Sequence, residues 1–514
     1  MSLKLLKSTS IVALMTILSR ILGFLRDVIF AQLFGASAGF DAFVIAFKIP
    51  NLLRRLFAEG AFSQAFIPVL ADYRAKQPHA KVQSLISHVS ANLALITLLL
   101  IVIVQLCAPF TVTLFAPGFR HDPTRLALTT QMLHWTFPYL FFITLVALSG
   151  AILNTDQRFS LPAFTPVLLN LSLIGVAIFG VPHSQHPVIT LSMGVLLGGM
   201  VQLIIQGPAL WRIGCLIWPR VHWTHPGVKR ILKLMIPALF GVSVAQLGLM
   251  IDNFFASYLP HGSISWLYYS DRLTYLPLGV IGVAISTVVM PHLSRGHSLK
   301  KNEQYQAILH WGLKMVVLLG LPATLGLSLL SGPLLATLIH HGAFGTHDVI
   351  MTQRSLVAFS FGLLAFMLVK VLASAFYAKE MIRVPVKIAS ACLIINILLN
   401  VLLIHHLAHA GLALATSIAS WINALLMLFF LHRYGIYRIP KGFVKMGAPL
   451  IIASMGMAAF LYHMPPPLTW WLQASWWQDA LYLFALIASA IVIYIGLLYV
   501  SGMRFSMLKP PEDT

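Results

Sequence analysis

Arginines interrupt stretches of this chain that are otherwise apolar enough to lie in a bilayer. Arg20 and Arg26 share one stretch, Arg54 and Arg55 the next, and Arg272 sits in another far downstream. Only 9% of the 514 residues are charged. An ionisable group at bilayer depth costs roughly 2.5–3.5 kcal/mol on insertion scales unless it faces a wet cavity or a partner. An arginine cannot escape by shedding its proton. The economical reading is a water-filled cavity lined with guanidinium groups. Its natural tenant is an anion that crosses or enters the membrane, and phosphate suits the planar guanidinium fork best.

A membrane span needs about 20 mostly apolar residues. Fourteen such stretches follow one another: 8–33, 38–70, 84–115, 126–153, 161–181, 188–211, 229–259, 264–293, 305–338, 350–377, 384–405, 409–432, 443–463 and 477–502. The expected fold is therefore an all-α polytopic membrane protein with fourteen transmembrane helices. Lysines and arginines test the layout. With both termini cytoplasmic, the even-numbered connections collect Arg74, Lys76, Arg158, Arg212, Arg220, Lys229, Arg295, Lys379, Arg383, Arg433 and Arg438, while the opposite loops hold little beyond Arg120 and Arg125. That bias in short loops fixes the orientation. It also accounts for the net charge of +20 without a nucleic-acid partner.

The chain repeats itself. The segment after residue 40, DAFVIAFKIPNLLRRLFAEGAFSQAFIP, and the segment ISWLYYSDRLTYLPLGVIGVAISTVVMP share a pattern. Each follows a short turn, carries arginine near a first proline (Pro50, Pro277), continues with glycine and small residues, and ends at a second proline (Pro68, Pro291). Weak internal similarity of this kind marks transporters built from two related bundles. The expected organisation is a six-helix lobe at 1–211, an interfacial linker at 212–228, a second six-helix lobe at 229–434, and helices 13–14 with a tail at 435–514. The linker is basic and aromatic and suits the cytoplasmic interface. Proline within helices 2 and 8 permits bending, and helices 13 and 14, which lack buried charge, suit an apolar groove for a lipid tail.

Charges cluster within these segments. Arg20 and Asp27 share a helix face, with Arg26 about 120° away. Asp41, Lys48 and Arg55 recur every seven residues, Glu59 follows one turn on, and Arg54 is turned off that stripe by about 100°. Periodicity alone does not rank Arg54 against Arg55. Asp271 and Arg272 sit side by side. The carboxylates suit a role as partners for the arginines while the cavity is empty; the alternative is purely structural pairing, which is a poor stabiliser when buried. A second set comprises Asp252, Asn396, Asn400 and Thr416. It could hold a small cation through oxygen ligands, or serve as helix–helix hydrogen bonds.

Other features are blander. Cys107, Cys215 and Cys392 show no metal or disulfide spacing and read as small buried hydrophobes. His405, His406 and His409, with no carboxylate nearby, read as solvated loop residues. The N-terminal stretch, interrupted by Arg20, reads as a retained first helix and not a cleaved leader. There is no phosphate-binding loop and no aspartate-rich run for Mg²⁺. ATP hydrolysis and a membrane transferase are thereby disfavoured, as is an exporter of cationic drugs, which would want an acidic cavity.

At SRILGFLRD, DAFVIAFKIPNLLRRLFAEGAFSQAFIP, APGF at 116–119 and SWLYYSDRL, the chain resembles the MurJ (MviN) family of lipid II flippases, in the multidrug/oligosaccharidyl-lipid/polysaccharide exporter superfamily. The resemblance implies a transporter of the inner membrane, not an enzyme. It would move the undecaprenyl-diphosphate-linked disaccharide-pentapeptide precursor to the periplasmic leaflet by alternating access. It assigns Arg20, Arg26, Arg54 and Arg272 to the cavity, with Asp27 and Asp41 beside them. It implies no organic cofactor, a sodium site like that of some members at Asp252, Asn396, Asn400 and Thr416, and cell-wall synthesis proteins as partners. Tyr275 and Pro449 depart from some relatives, which carry a glutamate and an arginine there. A flippase for another polyprenyl-linked glycan is the nearest alternative.

Overall fold

A computed structural model describes residues 3–299, 301–438 and 441–503. Among the described residues there are helices and no strands. The solvent explains this. In a bilayer each backbone N–H and C=O must be satisfied within the protein, and a helix does so within one segment. Nine helices among the described residues are long and apolar enough to cross a membrane. Large apolar side chains such as Leu99, Ile103, Ile394, Leu398 and Val492 are exposed along them. Apolar faces of that extent fit lipid and not water. The protein is an all-α polytopic membrane protein, as its composition predicted.

The chain forms two compact units, Met1–Gly262 and Ser263–Thr514. The first contains α1 (Leu3–Phe34), α2 (Ala38–Leu53), α3 (Ser63–Lys76), α4 (His79–Leu106), α5 (Ala108–Phe115), α6 (Pro123–Thr136), α7 (Tyr139–Thr155), α8 (Ser160–Gly175), α9 (Pro187–Arg212) and α10 (Pro226–Ala256). The second contains α11 (Ser263–Pro277), α12 (Val283–Ser298), α13 (Asn302–Leu329), α14 (Ser331–Leu338), α15 (Thr346–Ala378), α16 (Arg383–Arg433), α17 (Lys441–His463), α18 (Leu468–Trp471) and α19 (Trp476–Val500). Packing groups α10 with the first unit, whereas the duplication counts it with the second half. Its Val228 and Ile231 lie in one core with Phe66 and Leu70 of α3, Leu85 and Val89 of α4 and Ile152 of α7. In the second unit Leu318, Leu330, Met457, Leu461, Leu486 and Tyr494 share a core.

Several predicted stretches are interrupted rods. The stretch 84–115 breaks at Cys107, and 305–338 breaks at Leu330. The stretch 38–70 is α2, a π-helical segment Arg54–Phe62, and α3. Pro50 explains part of this. It has no N–H to give the carbonyl four residues back, and the buried Thr136 hydroxyl of α6 donates to that carbonyl, Ala46 O, at 2.7 Å. The repeat behaves alike: α11 ends at Pro277 and is followed by π-helical Leu278–Gly282 and α12. The halves of α16 join across Ala408, whose φ of 48° is left-handed.

Two local features position the ends of helices. The APGF turn is built on Gly118. A Cβ there would lie 2.2 Å from Ser257 O at the end of α10, and the Gly118 N–H donates to Ser257 Oγ at 2.9 Å. Only glycine fits so close an approach. His409, read from sequence as solvated, is instead buried: its Nε2 lies 2.8 Å from Met351 O and its ring centroid 4.9 Å from that of Trp266. The break at Ala408 turns it inward, which residue type could not show.

Candidate functional site

In the first unit the charges found in sequence are held by specific partners. Arg26 is buried on α1. Its Nε and Nη2 donate to Asp27 Oδ1 at 3.0 and 2.6 Å, and its Nη1 donates to Asn170 Oδ1 of α8 at 3.0 Å. Asn170 Nδ2 in turn donates to Ser19 O at 3.0 Å, and the guanidinium sits 5.6 Å from the Phe30 ring centroid. The helical phase had matched Asp27 to Arg20, but Arg26 takes it, because a long guanidinium arm reaches a neighbour that its Cβ direction does not face. Arg20 is exposed. Asn170 escaped notice in sequence; its signal was an amide in an otherwise apolar helix.

On α2, Asp41 is fully buried and its Oδ2 accepts the Gly262 N–H at 2.7 Å. Lys48 Nζ donates to Asn253 Oδ1 of α10 at 2.8 Å. Arg54 Nε donates to Asn51 Oδ1 at 3.2 Å, and Asn51 Nδ2 donates to Phe47 O at 2.9 Å. Arg54 is half-buried and Arg55 exposed. The π-helical segment starts at Arg54, so the seven-residue phase carried from Asp41 through Lys48 ends there. The side chain of Glu59 lies outside the described residues. Asn253 is the second partner that sequence reasoning missed; it stands beside Asp252, which drew the attention instead.

The second unit holds Arg272, half-buried on α11 with Asp271 beside it. Its guanidinium lies 4.9 Å from the centroid of Tyr268, one turn back, and Nη2 reaches Tyr268 Oη at 3.5 Å. Stacking on an aromatic face stabilises a cation without neutralising it. On α16, Asn400 Nδ2 donates to Asn396 Oδ1 at 3.3 Å, and Asn396 Nδ2 donates to Thr416 Oγ1 at 3.0 Å. These three residues form a hydrogen-bonded chain; Asp252, the fourth, belongs to the first unit. Their oxygens suit a hard cation in kind, though two of them already accept a hydrogen bond. Among the described residues no group of three or more His, Cys, Asp or Glu is placed to hold a metal.

The second unit also encloses an apolar cavity of about 570 Å³ between α13, α14, α17 and α19. Leu318, Pro322, Leu330, Met457, Leu461 and Ile491 line it. Tyr494 contributes a hydroxyl already committed to Leu318 O at 2.7 Å. The rest of the lining is almost wholly apolar, apart from Tyr499.

Ion pairs tie the end of α3 to its neighbours. Asp72 of α3 accepts from Arg230 of α10 and from Lys76, each at 2.6 Å. Lys76 first, then Arg230, holds the Asp72 carboxyl below its usual range. Arg74 bridges to Asp156 at 3.2 Å. Elsewhere Asp122 caps α6, accepting from Arg125 N at 3.1 Å and Arg125 Nε at 2.8 Å. The Arg125 backbone N–H and guanidinium likewise depress its pKa.

Comparison with known proteins adds a family. The sequence profile described as lipid II flippase MurJ matches residues 30–478. A curated protein of Vibrio cholerae, named probable lipid II flippase MurJ, is 43% identical over 519 residues, covering 100% of this chain and 99% of that protein. A solved structure titled lipid II flippase MurJ, inward closed conformation, is 28% identical with a TM-score of 0.80, covering 95% and 98% of the two chains. A multidrug resistance transporter of the MATE family and the MOP superfamily, solved inward-facing, shares the fold at 14% identity and a TM-score of 0.69, covering 81% of this chain and 94% of its own.

Proposed function

Because the chain belongs to the MurJ family of lipid II flippases, we propose that it moves undecaprenyl-diphosphate-linked disaccharide-pentapeptide from the cytoplasmic to the periplasmic leaflet of the inner membrane. Arg20, Arg26, Arg54 and Arg272 take the diphosphate. The observation that carries this reading is the buried set of Arg26, Asp27 and Asn170, in which the guanidinium already sits among hydrogen-bond acceptors. A carboxylate can hold a guanidinium in place until a diphosphate displaces it, since both oxyanions suit the same fork. The exchange avoids leaving a bare charge in a low-dielectric site.

Transport then divides the substrate. The headgroup crosses among the arginines, and the prenyl tail stays in apolar surroundings, for which the cavity between α13, α14, α17 and α19 is suited. The π-helical breaks after Pro50 and Pro277 are the bending points for alternating access. Both termini are cytoplasmic. Sodium bound by Asp252, Asn396, Asn400 and Thr416 would be the coupling or structural ion.

The test is leaflet exposure of labelled lipid II in cells that carry the chain as their sole flippase. Wild type should expose lipid II on the outer leaflet, and depletion should stop it. Normal exposure after depletion would overturn the reading.

A further inference from the structure

The connection between α9 and α10 has no helix of its own, yet it is not loose. It lies along α4 and is held by side chains of that helix. Gln83 Nε2 donates to Gly214 O at 2.7 Å, and Ser87 Oγ donates to Trp218 O at 2.7 Å. His88 Nδ1 lies 2.8 Å from Arg220 O. Asn92 makes a two-way pair with His222, donating to its carbonyl at 3.1 Å and accepting from its N–H at 3.3 Å. Positions 83 and 87, and again 88 and 92, are one-turn pairs on α4, so the connection crosses that helix obliquely. Each fixed carbonyl fixes what the strap shows on its other side.

That other side is unlike ordinary solvated surface. Trp218 is 82% exposed and Trp211 72%, with Leu216 and Trp223 exposed as well. Arg212 and Arg220 are exposed among them. From residue 157 to residue 251 the chain has no Asp or Glu. Ordered tryptophans beside uncompensated arginines match the chemistry of a leaflet boundary, with ring systems at headgroup depth and cations at phosphates.

We propose that this strap is a docking surface for anionic phospholipids of the leaflet it faces, with Arg212 and Arg220 taking headgroup phosphates and Trp218 and Trp223 entering the acyl boundary. The site is separate from the arginines assigned to the diphosphate and does not depend on which substrate is carried. Its occupant is the bulk anionic lipid, because exposed tryptophans beside exposed arginines complement an acyl boundary and headgroup phosphates.

Native mass spectrometry and thermal unfolding of the full chain, titrated with phosphatidylglycerol and separately with phosphatidylcholine, test this. Phosphatidylglycerol should add bound lipid and raise the melting temperature, and phosphatidylcholine should do neither. Each arginine should contribute roughly fivefold in apparent affinity, so the double variant R212Q/R220Q should lose roughly 25-fold. W218A should weaken binding too; its side chain is exposed, so the fold is not at stake. R433Q, which removes a basic residue outside the strap, should bind as wild type does. Equal binding of the two lipids, or unchanged affinity in R212Q/R220Q, overturns the proposal. So does displacement of phosphatidylglycerol from the strap by lipid II, which would make the surface part of the substrate path.

Discussion

The helix running from Ala38 to Lys76 and the one from Ser263 to Ser298 are built alike and charged differently. Each follows a turn with a left-handed glycine, Gly35 at φ 56° and Gly262 at φ 90°. Each passes a proline, then a π-helical segment, then a second proline. The first π-helical segment spans nine residues and opens with Arg54 and Arg55; the second spans five, Leu278–Gly282, and has no charge. The first helix also carries Asp41 and Lys48, whereas the second has only Asp271 and Arg272 ahead of its proline. The bend belongs to the shared backbone plan. The charge is concentrated in the first copy.

The largest expected effect tests that asymmetry. Arg26→Ala should abolish flipping while the protein stays in the membrane, and Arg26→Lys should rescue only in part, since a point charge lacks the bidentate fork. Arg272→Ala should also abolish it, because the second copy has no other arginine ahead of its second proline, Pro291, to share the load. Growth as sole copy and outer-leaflet lipid II would be measured. Normal growth with alanine at all four of Arg20, Arg26, Arg54 and Arg272 would end the cavity hypothesis.

Sodium sharpens the comparison from the other side, since three of its four proposed ligands lie in the second unit. The melting temperature should rise with Na⁺ at constant ionic strength, following mass action, and Asp252→Ala should remove the rise. An equal rise in wild type and variant would leave Asn396, Asn400 and Thr416 as helix-to-helix contacts only.

The backbone plan itself can be broken. Thr136→Val leaves Ala46 O buried without a donor, which should cost about 1–3 kcal/mol. A polar contact further along the second copy's helix should matter less. Ser286 Oγ pairs with Ser374 Oγ at 2.8 Å, but Ser374 also donates to Lys370 O at 3.0 Å. Ser286→Ala therefore orphans no carbonyl and should cost about 1 kcal/mol or less. Similar unfolding shifts for the two variants would mean that the bends are not stabilised in the way the hydrogen bonds suggest.

The smallest effect is with pH, and it should fall on the first unit. Burial, then His88 and His222, pushes the His225 pKa below its ordinary 6.5. That contribution is complete above pH 6.5 and is lost as pH falls through the folded value. Asp72 and Asp122 lie below their ordinary 3.8, so their contribution is present above 3.8 and lost below it. Hydrogen exchange at pH 7.5, 5.5 and 3.5 should therefore show the ends of α3 and α6 and the start of α10 loosening before α11 and α12. Simultaneous loosening would contradict the assignment.

Much of this was legible because the bilayer makes the sequence speak plainly. Apolar length gave the helices, and the repeat gave the paired prolines. The partners were not legible. Asn170, Asn253 and Thr136 are ordinary polar residues in apolar helices until packing brings them to Arg26, Lys48 and Ala46 O. The π-helical segments shift phase in a way that no periodicity count anticipates, which is why Arg54 and Arg55 could not be ranked. The grouping of α10 with the first unit depends on side chains such as Val228 and Ile231 finding a core, not on where the duplication begins.

The reversal at Ala408 reaches back to synthesis. Leu403 O lies 2.6 Å from where a Cβ on Gly411 would be, so the two arms of α16 are pressed together at their tips with no loop between them. Between Asn400 and Thr416, His405, His406 and His409 are the only polar residues of the chain. During translation the first arm has no hydrophilic tether on which to halt while the second is made. The pair should leave the ribosome and enter the membrane as one hairpin, and a glycosylation or reporter tag inserted at Ala408 should disrupt insertion where the same tag in a long loop would pass unnoticed.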